Sequence, residues 1–248
     1  MRKMELTFLG SGDAFGSGGR LQTCILVDAQ ESKFLMDCGA TVMPAMRRNG
    51  VDPNSIDLIL LSHLHGDHFG GIPFFILDAQ LISKRTQPLT IAGPVGTAAR
   101  VTALMEAMFP GSSGVQRKFT VEFVELTPDQ QQPVGNLLVT PCRVTHMASG
   151  ESLGLRILCH DKVIAYTGDC EWSDNLTTLC RNADLVIAEA YSHDRAIKYH
   201  MHVPTLLDHW PEMNAKRLIL THMSNEILQK AEAIGWECSA DGKKFELE

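Results

Sequence analysis

The stretch Ser62-His63-Leu64-His65-Gly66-Asp67-His68 places three histidines and one aspartate in six consecutive positions. Imidazole and carboxylate are the ligand types that zinc and similar divalent ions take from proteins. A solvated polar loop would not need this crowding. The run just before it, Ile56-Asp57-Leu58-Ile59-Leu60-Leu61, reads as a buried β-strand. A loop at a strand's end can turn several ligands toward one point, whereas a helix or a strand would scatter them. Gly66 supplies backbone freedom for that convergence. Metal binding is the chemistry this segment predicts.

The elements around it alternate. Strands are predicted at Glu5–Leu9, Thr23–Val27, Lys33–Met36, Leu89–Ala92, Thr120–Leu126, Leu137–Val144, Gly154–Cys159, Val163–Thr167, Leu185–Ala188 and Arg217–Leu220, before a final β segment. Helices are predicted at Thr41–Asn49, Ile72–Ser83, Gly96–Met108, Asn175–Arg181, from Val203 onward and at Asn225–Ile234. The glycine-rich residues 10–20 are a weak phosphate-binding signal, because no helical pattern follows them. They read equally as a loop beside a pocket or as a structural turn. Strands and helices occur throughout, with no Pro/Ser-rich linker, so residues 1–248 read as one αβ domain.

Four side chains in one loop cannot fill two metal spheres, so any further ligands should lie at other strand ends. His146 follows the run ending Val144-Thr145, Asp169 follows Tyr166-Thr167-Gly168, and His222 follows Leu220-Thr221. Function in αβ folds collects at such positions. Each alone reads more readily as a capping or solvated residue; beside the histidine-rich loop, the three read as ligands.

Composition bounds the partners. The chain has 44% hydrophobic and 21% charged residues and a formal net charge of −7. No apolar run reaches the roughly 18 residues of a membrane span, and no signal-peptide pattern opens the chain, so a cytoplasmic location and no membrane partner are expected. The acidic balance and dispersed Lys/Arg weigh mildly against a nucleic-acid partner. Seven cysteines without a C-x-x-C pair read as buried thiols rather than a disulfide framework.

Taken in order, Phe8-Leu9-Gly10-Ser11-Gly12, Leu35-Met36-Asp37-Cys38-Gly39, Ser62 through Gly71, His146, Tyr166-Thr167-Gly168-Asp169, Ala188-Glu189-Ala190 and Leu220-Thr221-His222 resemble a metallo-β-lactamase-fold hydrolase of the ribonuclease Z-like branch. The resemblance covers essentially the full length. It implies a four-layer αββα sandwich (α/β) with two metal ions at one edge of the sheets. It further implies His63, His65 and His146 on the first metal, Asp67, His68 and His222 on the second, and Asp169 bridging them. His65, where a diiron redox branch of the family carries glutamate, points to hydrolysis with zinc, or with manganese as the alternative. Homodimerisation is suggested by the family alone.

Two divalent ions can share and activate a water and neutralise charge on an in-line displacement, and Asp67 counts among the catalytic candidates as well as the ligands. The resemblance assigns proton delivery to a glutamate–histidine pair: Glu189, with His200 or His202 as its partner. His200 lies 22 residues before His222 and fits the family spacing, which leaves His202 at the helix-capping place ahead of Pro204. His160, His193 and His209 are expected outside the site. Only 22 residues separate His146 from Asp169, enough for a hairpin and too few for the tRNA-clamping arm of ribonuclease Z. A small or modest phosphodiester is therefore the expected substrate, with tRNA 3′-processing second and a lactonase, thioesterase or non-catalytic scaffold behind it. The pocket walls are expected from loops 10–22, 109–118 and 147–153.

Overall fold

In the β-strands, residues of alternate parity bury on opposite faces, and that alternation builds the layers. The computed structural model describes residues 4–147 and 150–247. The first sheet has seven strands: β1 (Met4–Gly10), β2 (Cys24–Asp28), β3 (Lys33–Met36), β4 (Leu58–Leu60), β5 (Leu89–Gly93), β6 (Val121–Glu125) and, on the outer side of β1, β14 (Lys244–Leu247). The second also has seven: β7 (Gln132–Val134), β8 (Leu137–Arg143), β9 (Leu153–Cys159), β10 (Lys162–Tyr166), β11 (Leu185–Glu189), β12 (Leu218–Thr221) and β13 (Glu237–Cys238).

Ile25 and Val27, Phe34 and Met36, and Leu58 and Leu60 point into the space between the sheets, where they meet Leu155, Ile157, Ile164, Tyr166, Ile187 and Ile219. The intervening residues Leu26, Leu35 and Ile59 face outward and are covered by α1 (Val42–Arg48), α3 (Ile72–Leu81) and α4 (Thr97–Met108). On the other side Val186, Ala188, Leu218 and Leu220 face outward under α5 (Asn175–Cys180), α6 (Val203–Met213) and α7 (Asn225–Ile234). The result is the four-layer αββα sandwich that the resemblance implied.

Strand direction places the chemistry. β3 to β6 run parallel, as do β10 to β13, and β8 shares their direction because β9 is antiparallel to both β8 and β10. The carboxyl ends of β4, β8, β10, β11 and β12 thus open at one edge. Backbone bonds sew the sheets together there: Leu153 donates to the Ser62 carbonyl at 2.9 Å, and His222 to the Ser11 carbonyl at 3.1 Å.

Three local differences from the sequence reading have physical causes. His65, Asp67 and His68 do not lie in open loop; Gly66–Phe69 forms a one-turn helix, α2, with His65 as its first cap. Gly66 has an ordinary helical place with open space around it, so convergence does not depend on its conformational freedom. The edge strand β7 was not predicted because Pro133 sits inside it, a residue that sheets tolerate only at edges. The seven cysteines form no disulfide, and all but Cys238 are buried.

Candidate metal centre

The edge gathers all seven residues expected as ligands. His63 Nε2 lies 3.1 Å from His65 Nδ1, and His146 Nε2 lies 3.0 Å from that same nitrogen. Nitrogen ligands about 2.0–2.1 Å from one tetrahedral ion would stand about 3.3 Å apart, which is close to this spacing. Asp67, His68, Asp169 and His222 form a second group, their candidate ligand atoms all within 4.8 Å of one another. Asp169 Oδ2 sits 3.2 Å from both His68 Nε2 and His222 Nε2, and 3.8 Å from His146 Nε2, between the two groups.

The electrostatics fit a cation. His68 Nε2 and Asp169 Oδ1 are buried without a hydrogen-bond partner. Burial disfavours charge on His68, yet the surrounding Asp169, Asp37 and Asp67 carboxylates raise it well above the usual imidazole range. Burial likewise opposes charge on His222, and Asp169, Asp67 and Glu189 push it up to about 10. His63, facing other imidazoles, is driven down by burial and by His68. The carboxylates of the second group hold positive charge as protons where a divalent ion would supply it. Donor types, spacing and unpartnered atoms all suit such an ion.

Three of the imidazoles, His63, His68 and His146, are also held from behind. Ser62 Oγ donates to Asp37, 2.8 Å from Oδ2, and so accepts from His63 Nδ1 at 3.0 Å. His68 Nδ1 donates to Asp37 Oδ2 at 2.7 Å, and His146 Nδ1 to the Tyr199 carbonyl at 2.7 Å. These contacts fix which ring nitrogen faces the centre. Gly168, at φ +59°, turns the chain from β10 into Asp169; a Cβ there would stand 2.9 Å from that of Ser62.

Asp37 is the hub of this outer layer, because its carboxylate also accepts from Ser62 N at 2.8 Å and Tyr166 Oη at 2.7 Å. Each donor left unpaired in the interior costs about 1–3 kcal/mol. Asp37→Ala should therefore destabilise the metal-free protein by about 3–5 kcal/mol, and Asp37→Asn, which keeps an acceptor oxygen, by less. Denaturant midpoints of the two variants check this; a loss below about 1 kcal/mol in Asp37→Ala would contradict the role assigned to the hub.

Glu189, at the end of β11, is fully buried. Its Oε2 accepts from the backbone of Cys170 at 2.8 Å and Met201 at 2.9 Å, and its Oε1 accepts from His200 Nδ1 at 2.6 Å. His200 stacks on Tyr191 at 4.2 Å and lies edge-on to His146 at 5.0 Å. His202 points elsewhere: Nε2 donates to the His193 carbonyl at 2.7 Å, and Nδ1 accepts from Thr205 Oγ1 at 2.9 Å. The structure brings His200, not His202, to the cluster. His160, His193 and His209 contact none of its residues in the bonds described.

A cavity of about 650 Å³ opens beside His65 and His146, lined also by Leu64, Pro94, Val95, Met147 and Tyr199 and by the charged side chains Arg100 and Glu151. The loop at 147–153 contributes as expected, apart from residues 148–149, which lie outside the described residues. Loops 10–22 and 109–118 do not line it; the β5–α4 turn does. Asp37, Ser62, Tyr166, Tyr191 and Tyr199 support the site without having been assigned a role from sequence. Asp37 alone carried a signal, a carboxylate after the run Phe34-Leu35-Met36.

Comparison with known proteins agrees with this geometry. The family model described as anti-Pycsar protein Apyc1 matches residues 4–238. A ribonuclease Z of Lachnoclostridium phytofermentans is 31% identical over 144 residues, 58% of this chain and 45% of that protein. The chain spans about half the length of the first curated relatives it matches. Among solved structures, the short form of human tRNase Z superposes with a TM-score of 0.80 at 25% identity, covering 98% of this chain and 99% of that one. The metallo-β-lactamase fold protein YhfI of Bacillus subtilis superposes with the same score at 21% identity, over 98% and 99% of the two chains. The architecture is the metallo-β-lactamase fold.

Proposed function

The chain belongs to the family of the anti-Pycsar protein Apyc1, and from that premise we propose that it is a single-domain, two-metal phosphodiesterase acting on a small or modest phosphodiester. The observation that carries this reading is the Glu189–His200 pair, closed at 2.6 Å and set against the edge of a seven-ligand cluster. His63, His65 and His146 would hold one ion, Asp67, His68 and His222 the other, and Asp169 both. Zinc is the ion this histidine-rich set favours, with manganese as the alternative. When bound, two such ions supply a nucleophile from water near neutral pH and neutralise charge on the phosphoryl oxygens.

The protein's own groups do the rest. Glu189 accepts from His200 Nδ1, which leaves Nε2 to carry a proton toward the departing oxygen. Tyr191, stacked on the ring, keeps that nitrogen from rotating away. The cavity beside His65 and His146 takes the part of the substrate that does not react, and its Leu64, Pro94, Val95 and Met147 wall suits an apolar or planar group.

A second reading, tRNA 3′-end processing, draws on the ribonuclease Z relatives. Against it stands the interval from His146 to Asp169, which holds the β9–β10 hairpin (Leu153–Cys159, Lys162–Tyr166) where a clamping arm would be inserted. A substrate panel separates the two: bis-p-nitrophenyl phosphate, cyclic nucleotides, a lactone, a thioester and pre-tRNA, each with zinc or manganese. Diester hydrolysis without pre-tRNA cleavage is expected. Pre-tRNA cleavage at low protein concentration would overturn the preference, and lactone or thioester turnover alone would overturn the phosphodiester assignment.

A further inference from the structure

Of the six imidazoles in the cluster, His146 alone is oriented by a backbone carbonyl that is not secured by regular structure. Its Nδ1–H donates at 2.7 Å to the carbonyl of Tyr199, which lies outside any helix or strand. Tyr199 is the third residue of a four-residue turn, closed by a bond from His200 N to the Ile197 carbonyl at 3.1 Å. Its φ is +71°, in the left-handed region that side chains other than those of Gly, Asn and Asp seldom enter. A tyrosine adopts that conformation only where its surroundings enforce it.

The side chain that holds the backbone of Tyr199 itself is that of Glu171. Its Oε2 accepts from Tyr199 N at 3.0 Å. Its own N–H donates to the Thr145 carbonyl at 2.9 Å, immediately before His146. The isolated bridge Thr145–Glu171 thus ties Glu171 to the backbone that presents His146, while its carboxylate ties the turn that orients the imidazole. Glu171 follows Asp169 by two residues, so the same segment carries the residue shared by both groups and the anchor of a first-group ligand.

We propose that Glu171 is a positioning residue for the first metal: through the strained Tyr199 carbonyl it fixes the ring orientation of His146 and presets Nε2 toward the ion. Glu171 lies outside the candidate ligand groups and would act through the Tyr199 turn. Its role rests on the two-metal reading and concerns one site only. The tyrosine side chain, which lines the cavity, is separable from the carbonyl that does the orienting. A glycine at 199 would keep the carbonyl and adopt positive φ without being held.

The test is zinc affinity, measured by competition with a chromophoric chelator on full-length protein. It is paired with 113Cd NMR of the cadmium-loaded form, where two sites give two signals. In Glu171→Ala one binding step should weaken about 10- to 100-fold, the usual cost of losing an outer-layer partner, and one cadmium signal should move. Glu171→Gln keeps an acceptor oxygen and should stay within about threefold of wild type. Adding Tyr199→Gly to Glu171→Ala should recover most of the loss, because the turn then needs no clamp. Unchanged affinity in Glu171→Ala, or equal weakening of both steps without rescue by either second variant, would overturn the clamp and leave the two-metal site standing. Fewer than two zinc ions on wild-type protein would overturn the two-metal reading and the clamp with it.

Discussion

Asp169→Asn should reduce phosphodiester turnover by about 10³-fold or more while the metal-free protein still folds. The carboxylate stands 3.2 Å from an imidazole nitrogen on either side and 3.8 Å from His146, and among the described residues it is the one acidic group paired with both ligand sets. Burial works against its charge, but His222 and His68 more than offset that and hold the carboxyl well below its usual range. Asparagine preserves the volume and a single oxygen but removes the charge that two cations would share. If that costs the several kcal/mol that metal ions contribute to charge stabilisation, at 1.36 kcal/mol per decade the rate falls by three orders of magnitude or more. Bound metal should fall below two ions per chain in the same preparation. Two tightly held ions together with a rate within tenfold of wild type would remove Asp169 from the shared position. Asp169→Ala is the poorer probe, since it also leaves His68 and His222 facing a void.

The seven ligand candidates were legible because three features coincide in the chain itself. Each is a residue type that binds metals, each follows an apolar run or belongs to the one histidine-rich segment, and the runs have the pattern of buried parallel strands. Parallel order brings the ends of β10 and β12 to one edge of the second sheet; that β4, in the first sheet, ends beside them was implied by the family resemblance. Glu189 was legible only through the family pattern. Read alone, a glutamate ending the apolar strand Leu185–Glu189 could as well cap a helix or pair with a lysine. Of the supporting layer only Asp37 carried a signal in the sequence, and the reason is physical. Tyr199 acts through a carbonyl, which every residue has, and Glu171 through a contact 28 residues away in the chain. Asp37 collects donors from Ser62, His68 and Tyr166, up to 129 residues distant. Such partners are chosen by the packing of two sheets, and nothing in local spacing announces them. The same limit explains the histidine-rich segment itself: its composition predicted convergence, but the single turn of α2 that aims Asp67 and His68 inward is set by tertiary contacts. One of these is the Cys38 N–H donating to the His68 carbonyl at 2.6 Å.

Replacing His200 by alanine should lower diester turnover by about 10²- to 10⁴-fold, the usual range for a positioned proton donor, with both metals retained. His202→Ala should stay within about threefold of wild type, because its two ring nitrogens are spent on the His193 carbonyl and on Thr205. The pH profile adds a readout that a merely structural histidine would not give. Burial pulls the His200 pKa down, but the Glu189 hydrogen bond and charge outweigh it and raise the imidazole above its usual value. A donor must enter protonated, so wild-type activity should fall as pH rises through that raised value. In Glu189→Gln the hydrogen bond survives without the charge, His200 gives up its proton more readily, and the alkaline limb should move to lower pH. The effect should also depend on the leaving group. An ester whose departing alcohol is as acidic as p-nitrophenol needs little protonation, so His200→Ala should cost far less there than on an alkyl diester. A loss equal on both substrates would argue that His200 positions the site and does not deliver the proton. A deep loss in His202→Ala, with His200→Ala unaffected, would transfer the role to the neighbour.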